Sequence, residues 1–410
     1  MPGKKIYDII GIGIGPFNLG LAALCDEIPE LYCLFIDQNE FFKWHPGLLL
    51  PNARLQVPWY ADLVSLASPR SKFIYMNYLH QKKRQFRFGI ADPGFIRRSS
   101  YSNYCQWVSD QLPSLQFDTY CISIEKENEF YSVRTNKGDY LTQRLVLGTG
   151  TVPFVPEFIQ PKVENIFHSS QYLFKKDKIT NLESITIVGG GQSAAEIFFD
   201  LLQSYDGNLS WFTRSSQFFP MDYSKLSLEM STPDYIDHFF SLPDQKKQKI
   251  LAKQGSLYKG INQLLLSDIY DLLDEKDSEM VSLHTNCELK KINGNTTLTF
   301  IHTEMEKTFT HETNVLILAT GYLPIVPECI NPLRSFIHLD NHGNYKPHRN
   351  YSVDDANSIF IQNGEQQTHG FNAADLSLGP YRNAVIINTI IGYEYFKVEK
   401  NITFQTFGLP

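Results

Sequence analysis

Two patterns of apolar spacing alternate along the chain. KIYDIIGIGIGPFNLGLAALCDE, from Lys5, reads as strand, glycine turn and helix, and LYCLFIDQ at 31–38 reads as a buried strand. Residues 39–70 are rich in Trp, Pro and His with little periodicity, which predicts a long functional loop. Helical spacing recurs from Tyr101 to Leu112, and YLTQRLVLGTG is strand-like, ending at Gly148 and Gly150. The stretch 151–183 holds three prolines and reads as a connector. ESITIVGGGQSAAEIFFDLLQ then repeats the strand–glycine–helix unit. Residues 222–280 are polar and mostly helical with breaks at Pro233 and Pro243, 283–313 alternate like hairpin strands, and NVLILATGY is another buried strand. A helix is expected around AVIINTIIGYEYF, within Ala373–Glu399.

Two glycine-turn units, near residues 10 and 190, form an approximate internal repeat. The fold class expected is α/β: two Rossmann-like dinucleotide-binding domains, the second inserted into the first, plus a small helical substrate region. Residues 1–160 and 310–410 are assigned to an FAD domain, 161–221 and 281–309 to an NADPH domain, and 222–280 to the helical region. The buried strand before Ala319-Thr320-Gly321-Tyr322 is read as the return to the first domain.

The first turn reads Gly11-x-Gly13-x-Gly15-Pro16. Glycines permit a tight turn and close approach to a pyrophosphate, which sits at the following helix N-terminus. Proline suits the first helical turn, where its missing N–H has no intrahelical role. Asp37 lies at the end of the next strand, 22 residues after Gly15, where an acid accepts from a ribose. The second turn holds Gly189, Gly191, Gln192 and Ser193, and its next strand ends in Arg214 rather than an acid, which suits the 2′-phosphate of NADPH. A flavin plus a nicotinamide nucleotide implies hydride transfer to FAD, then electron transfer to a disulfide, a redox partner or dioxygen. No CxxC supports the disulfide route.

A net charge of −7 argues against a nucleic-acid surface. No apolar run approaches the roughly 18 residues of a membrane span. Asp8 and the glycines interrupt what could be a signal sequence, and six cysteines without metal spacing read as reduced thiols, so a cytoplasmic protein is expected. His338, His342 and His348 are close in sequence but lack supporting acids or cysteines; they read as a polar loop, with no metal expected. Lys246, Lys247 and Lys249 read as a solvated helix face.

Several longer segments resemble the flavin-dependent N-hydroxylating monooxygenases of siderophore biosynthesis, the lysine N6- and ornithine N5-hydroxylase family. These are GIGIGPFNLGLA at 11–22, KWHPGLLLPNARLQVPWYADLVSLASP at 43–69, YMNYL at 75–79, LGTGTVPFVP at 147–156, IVGGGQSAAE at 187–196, LATGY at 318–322 and QTHGFNAADLSLGPYRNAVIIN at 367–388. The resemblance implies that NADPH reduces FAD, that dioxygen adds at flavin C4a to give a hydroperoxide, and that a neutral terminal amine attacks it. It places Trp44, His45 and Gln56 along the flavin, with Asp375 and Leu376 on its ring side. Gln56 and Ser377 are the implied catalytic residues, Gln56, Trp59, Ala61, Leu257 and Ser377 the substrate-binding ones, and Tyr322 joins the NADPH set. Family members are often tetramers, so a homo-oligomer is expected.

One departure bears on substrate. Amino-acid hydroxylases of this family carry a lysine five residues after the glutamine equivalent to Gln56, which binds the substrate carboxylate; here that residue is Ala61. A buried carboxylate without a partner is costly. The LQVP-x-x-ADLVSL form resembles the branch acting on cadaverine, putrescine or diaminopropane. The alternatives are L-lysine or L-ornithine, with Lys259 or Arg70 supplying the charge, an electron-transfer flavoprotein reductase, and a catalytically dead nucleotide-binding protein.

Overall fold

A computed structural model describes residues 5–159, 165–294 and 296–409. Two Rossmann-like sheets organise it. The first runs β3 (Leu115–Gln116), β2 (Cys33–Ile36), β1 (Ile6–Ile12), β6 (Gly138–Leu147), β5 (Phe130–Thr135), β4 (Cys121–Glu127), and β17 (Ile359–Ile361) pairs in parallel with the end of β6. β1 is parallel to β2 and β6, while β4, β5 and β6 form an antiparallel meander. Both faces of β1 and β2 are covered, which explains their nearly unbroken apolar sequence. Ile9 and Phe35 pack with helices Pro16–Cys25, Arg98–Ser109 and Gly379–Ile391, while Ile10, Ile12 and Leu34 pack with Ile124, Val133 and Ile361 on the opposite face.

The second sheet is parallel, in the order β11 (Val281–His284), β10 (Asn208–Phe212), β9 (Ser184–Val188), β15 (Val315–Leu318), β8 (Ile166–His168). Ile187, Trp211 and Ile317 face helix Gln192–Ser204, and Phe212, Leu316 and Leu318 face the meander of β12 (Cys287–Asn293), β13 (Thr297–His302) and β14 (Lys307–Glu312). The connecting segments pair with each other: β7 (Thr151–Pro153) lies antiparallel to β16 (Tyr322–Pro324).

Three expectations change. The strand before ATGY belongs to the second sheet, between β9 and β8, so the return to the first lobe follows Leu318. A buried apolar strand serves either parallel sheet equally well, so its composition could not say which. The connector 151–183 contains β7, β8 and helix Tyr172–Ile179, and its boundary at 160/161 lies outside the described residues. Helix Gln263–Lys276, assigned to the substrate region, instead packs Ile269, Leu265 and Leu272 into the second lobe's core.

Candidate active site

The N-terminus of helix Pro16–Cys25 and that of helix Gln192–Ser204 both open onto one cavity of about 1810 Å³ between the lobes. Single small-ligand pockets run to about 300–1,000 Å³, so this one has room for two dinucleotides and a substrate. Gly15 and Pro16 border it from one side, and Gly189, Gly191, Gln192, Ser193 and Arg214 from the other. Gly13 shapes the first turn from behind: its φ is +88° and a Cβ there would lie 2.5 Å from the Gly148 carbonyl oxygen. Gly189, at φ +148°, would place a Cβ 2.2 Å from the Ala319 carbonyl oxygen. Gly11 is required by packing, since its Cβ would strike the Phe35 ring at 2.1 Å.

Asp37 does not border the cavity among the described residues. One carboxylate oxygen accepts from the Ile14 N–H (2.7 Å), and the other accepts from the Asn39 backbone and side-chain amides (2.8 Å each). Asp37 therefore locks the glycine turn, and Asn39, which it orients, reaches the wall.

Trp44, His45, Gln56, Leu257, Tyr322, Asp375, Leu376 and Ser377 all line the cavity. Trp44 packs edge-on against Tyr101, and His45, with left-handed φ +47°, lies edge-on to Tyr322. His45 keeps accessible surface because it borders the cavity, yet enclosure by protein, followed by the charge of Arg98, lowers its pKa to about 4. Asp375 Oδ1 accepts from both the backbone N–H (2.9 Å) and the hydroxyl (2.6 Å) of Ser377; Oδ2 takes neither bond.

Gln56 is a joint between lobes. Its Nε2 donates to the Gly260 carbonyl (3.0 Å) and approaches Gln192 Oε1 at 3.5 Å. Gln192 Oε1 accepts from the Asn262 N–H, and its Nε2 donates to Glu196. Glu196 pairs with Arg98 at 3.0 Å, both side chains largely buried, and Arg98 also donates to the Leu48 carbonyl. Sequence reasoning missed this Arg98–Glu196 pair and also Tyr223. The hydroxyls of Tyr223 and Tyr322 are buried at the cavity, with Gln56 and Asn262 beside the first and Ser170 beside the second, and burial pushes the Tyr223 pKa up to about 12. Phenol hydroxyls beside two helix N-termini suit polar cofactors.

Two predicted wall residues lie elsewhere. Trp59 turns into the first-lobe core, edge-on to Phe88. Ala61 is 1 % exposed and absent from the described lining, whereas its neighbour Tyr60 is present. Lys259 borders the cavity and Arg70 does not.

Two nucleotide-type sheets facing one cavity define a two-dinucleotide flavoprotein. The chain belongs to the L-lysine 6-monooxygenase/L-ornithine 5-monooxygenase family, whose model matches residues 5–324. It is accordingly an FAD- and NADPH-dependent N-monooxygenase. The putrescine N-hydroxylase of Acinetobacter baumannii is 43% identical, aligned over 100% of this chain and 95% of the relative. The FAD-bound structure of DfoA, the cadaverine monooxygenase of desferrioxamine biosynthesis from Erwinia amylovora, superposes with a TM-score of 0.97 at 41% identity, covering 99% of both chains. An ornithine N-hydroxylase from Kutzneria, solved with reduced FAD, NADP⁺ and L-ornithine, gives a TM-score of 0.88 at 25% identity, covering 95% of this chain and 99% of that one.

Proposed function

We propose that this enzyme hydroxylates one terminal amine of an aliphatic diamine, putrescine, cadaverine or diaminopropane, for hydroxamate siderophore biosynthesis. The observation that carries the reading is full-length similarity, at 41–43% identity, to a putrescine and a cadaverine hydroxylase. Bound FAD would supply the hydride acceptor for NADPH and the group that activates dioxygen. The chain's residues bind, orient and shield. The helix start at Gly15-Pro16 would hold the FAD pyrophosphate and the one at Gly191-Gln192 that of NADPH, with Arg214 available to the 2′-phosphate. Asp375, held by Ser377 through one oxygen, offers the other to the distal ammonium. The reacting amine must be neutral to act as a nucleophile, and enclosure in the cavity favours that form. The same reading places the enzyme in the cytoplasm as a homo-oligomer, with tetramers expected from the family. Phe86 and Ile90, 90% and 85% exposed on helix Gln85–Ala91, offer an apolar surface for association.

Lys259 at the cavity wall favours the second reading, an L-lysine or L-ornithine substrate, because it could hold a carboxylate. Coupled product formation across the three diamines, lysine and ornithine separates the two. A diamine is expected to exceed both amino acids in kcat/KM by at least about tenfold, which needs only about 1.4 kcal/mol of differential binding. Equal efficiency with lysine or ornithine would transfer the assignment to the amino-acid reading.

A further inference from the structure

The loop set aside as a merely polar one gains an acidic partner in the fold. In the fold, Asp355 closes on two of its histidines. His338 Nε2 lies 3.2 Å and His348 Nε2 3.8 Å from Asp355 Oδ1, and one ligand atom from each residue falls within 4.8 Å of the others. The imidazole rings stand 5.0 Å apart and nearly perpendicular, at 81°. Ligand atoms bound to a tetrahedral zinc at about 2.0–2.2 Å lie about 3.3–3.5 Å from one another, close to the two His–Asp355 separations, while the two imidazole nitrogens lie within 4.8 Å and would close on the ion. His342 is not part of the cluster.

The backbone holds the three side chains from different segments. A bridge pairs Leu339 with Tyr345, placing His338 and His348 on opposite arms of a hairpin. The His338 N–H donates to the Val353 carbonyl (2.6 Å) and the His348 N–H to the Ser352 carbonyl (2.7 Å), fixing both arms to the segment leading to Asp355. Asp354 is buried and its carboxylate accepts from the Ser358 N–H and hydroxyl and the Ile359 N–H, so the turn is anchored next to Asp355. Asp355 itself is 90% exposed, and the histidine side chains are 35% and 49% exposed.

We propose that His338, His348 and Asp355 form a surface site for a divalent transition metal, Zn²⁺ by ligand type, with water completing the coordination. Two imidazoles and one carboxylate are a borderline donor set that suits zinc and disfavours magnesium or calcium, which prefer all-oxygen sites. The site lies on the first lobe beyond β17's partners and apart from the cavity lining, so its consequence is to clip the 338–348 hairpin to the 354–359 turn.

The test uses tag-free, FAD-loaded enzyme after chelator dialysis, titrated with Zn²⁺ alone by calorimetry, and with Co²⁺ followed by its visible bands beyond the flavin absorption. One equivalent per chain is expected, with a tetrahedral Co²⁺ spectrum. His338→Gln, His348→Gln and Asp355→Asn should each weaken binding at least about tenfold, since even loss of an outer-shell partner costs about 10–100-fold. His342→Gln should bind as the unmutated enzyme does. Any variant that does not fold shows it as lost FAD, and the remaining two still decide. Absence of saturable binding, or binding unchanged by the substitutions at 338, 348 and 355, overturns the proposal and leaves an ion pair only.

Discussion

His45 couples the cavity to pH. Its folded pKa of about 4 lies below the ordinary histidine value of about 6.5, because enclosure and Arg98 both oppose the imidazolium. The unfolded chain therefore binds more protons between these values. The contribution of His45 to stability is complete above about pH 6.5 and is lost as pH falls toward about 4. His45→Gln is expected to flatten the decline of unfolding free energy over that window, and NMR should show the ring of the unmutated protein still neutral at about pH 5.5. A midpoint between pH 6 and about 7 would refute the assignment. Residues such as Gly13, Gly189 and Arg214 were legible because their chemistry depends on order along one strand, turn and helix. Trp59, Ala61 and Asp37, expected at the site, do not border the cavity among the described residues. Trp59 and Ala61 lie in the segment 39–70, whose weak periodicity carries no mark of which face it presents, and Asp37, at a strand end, spends its carboxylate on the Ile14 N–H of the glycine turn.

At the scale of elements, the buried pair Arg98–Glu196 joins helix Arg98–Ser109 to helix Gln192–Ser204. Burial raises the Glu196 pKa, and Arg98 and Gln192 pull it back. Arg98→Ala strands the carboxylate, so a loss of about 3–5 kcal/mol is expected. The sign with pH identifies the cause. Without Arg98 the folded pKa of Glu196 moves further above its unfolded value, so the folded state gains protons. The deficit should then be small near pH 5, grow as pH rises toward the folded pKa of the variant and level off above it. Thermal melts of Arg98→Ala against unmutated protein at pH 5 and 8 check this, and a pH-independent deficit would assign the loss to packing instead. Nothing local signals this pair in the sequence. Its members lie 98 residues apart, on helices whose own patterns were readable, and only the closing of one lobe on the other brings them together.

For the whole molecule, the two-sheet architecture was legible because each glycine turn advertises its own sheet. Ownership of Val315–Leu318 was not, because sheet membership is a property of the partner strands. Nor was the segment following helix Gly379–Ile391, which runs back across the helical region. Asp234, at the start of helix Pro233–Ser241, accepts from the N–H groups of Asn401 (2.9 Å), Ile402 (2.7 Å) and Thr403 (3.2 Å). Glu229 accepts from the N–H groups of Phe404 and Gln405, and Phe407 lies edge-on to Tyr235. Lys397, Val398, Glu399 and Ile402 of the same segment line the cavity, so this strap forms part of its wall. Asp234→Ala removes an acceptor shared by three backbone donors. Discounted for its partial exposure, the loss should be about 1–2 kcal/mol, raising the detached population of the strap by about 5–30-fold. Limited proteolysis should then cut between 397 and 409 faster than in unmutated enzyme, while cuts in the two sheets keep their rates. Unchanged cleavage of the strap would show that Phe407 and Glu229 hold it without Asp234.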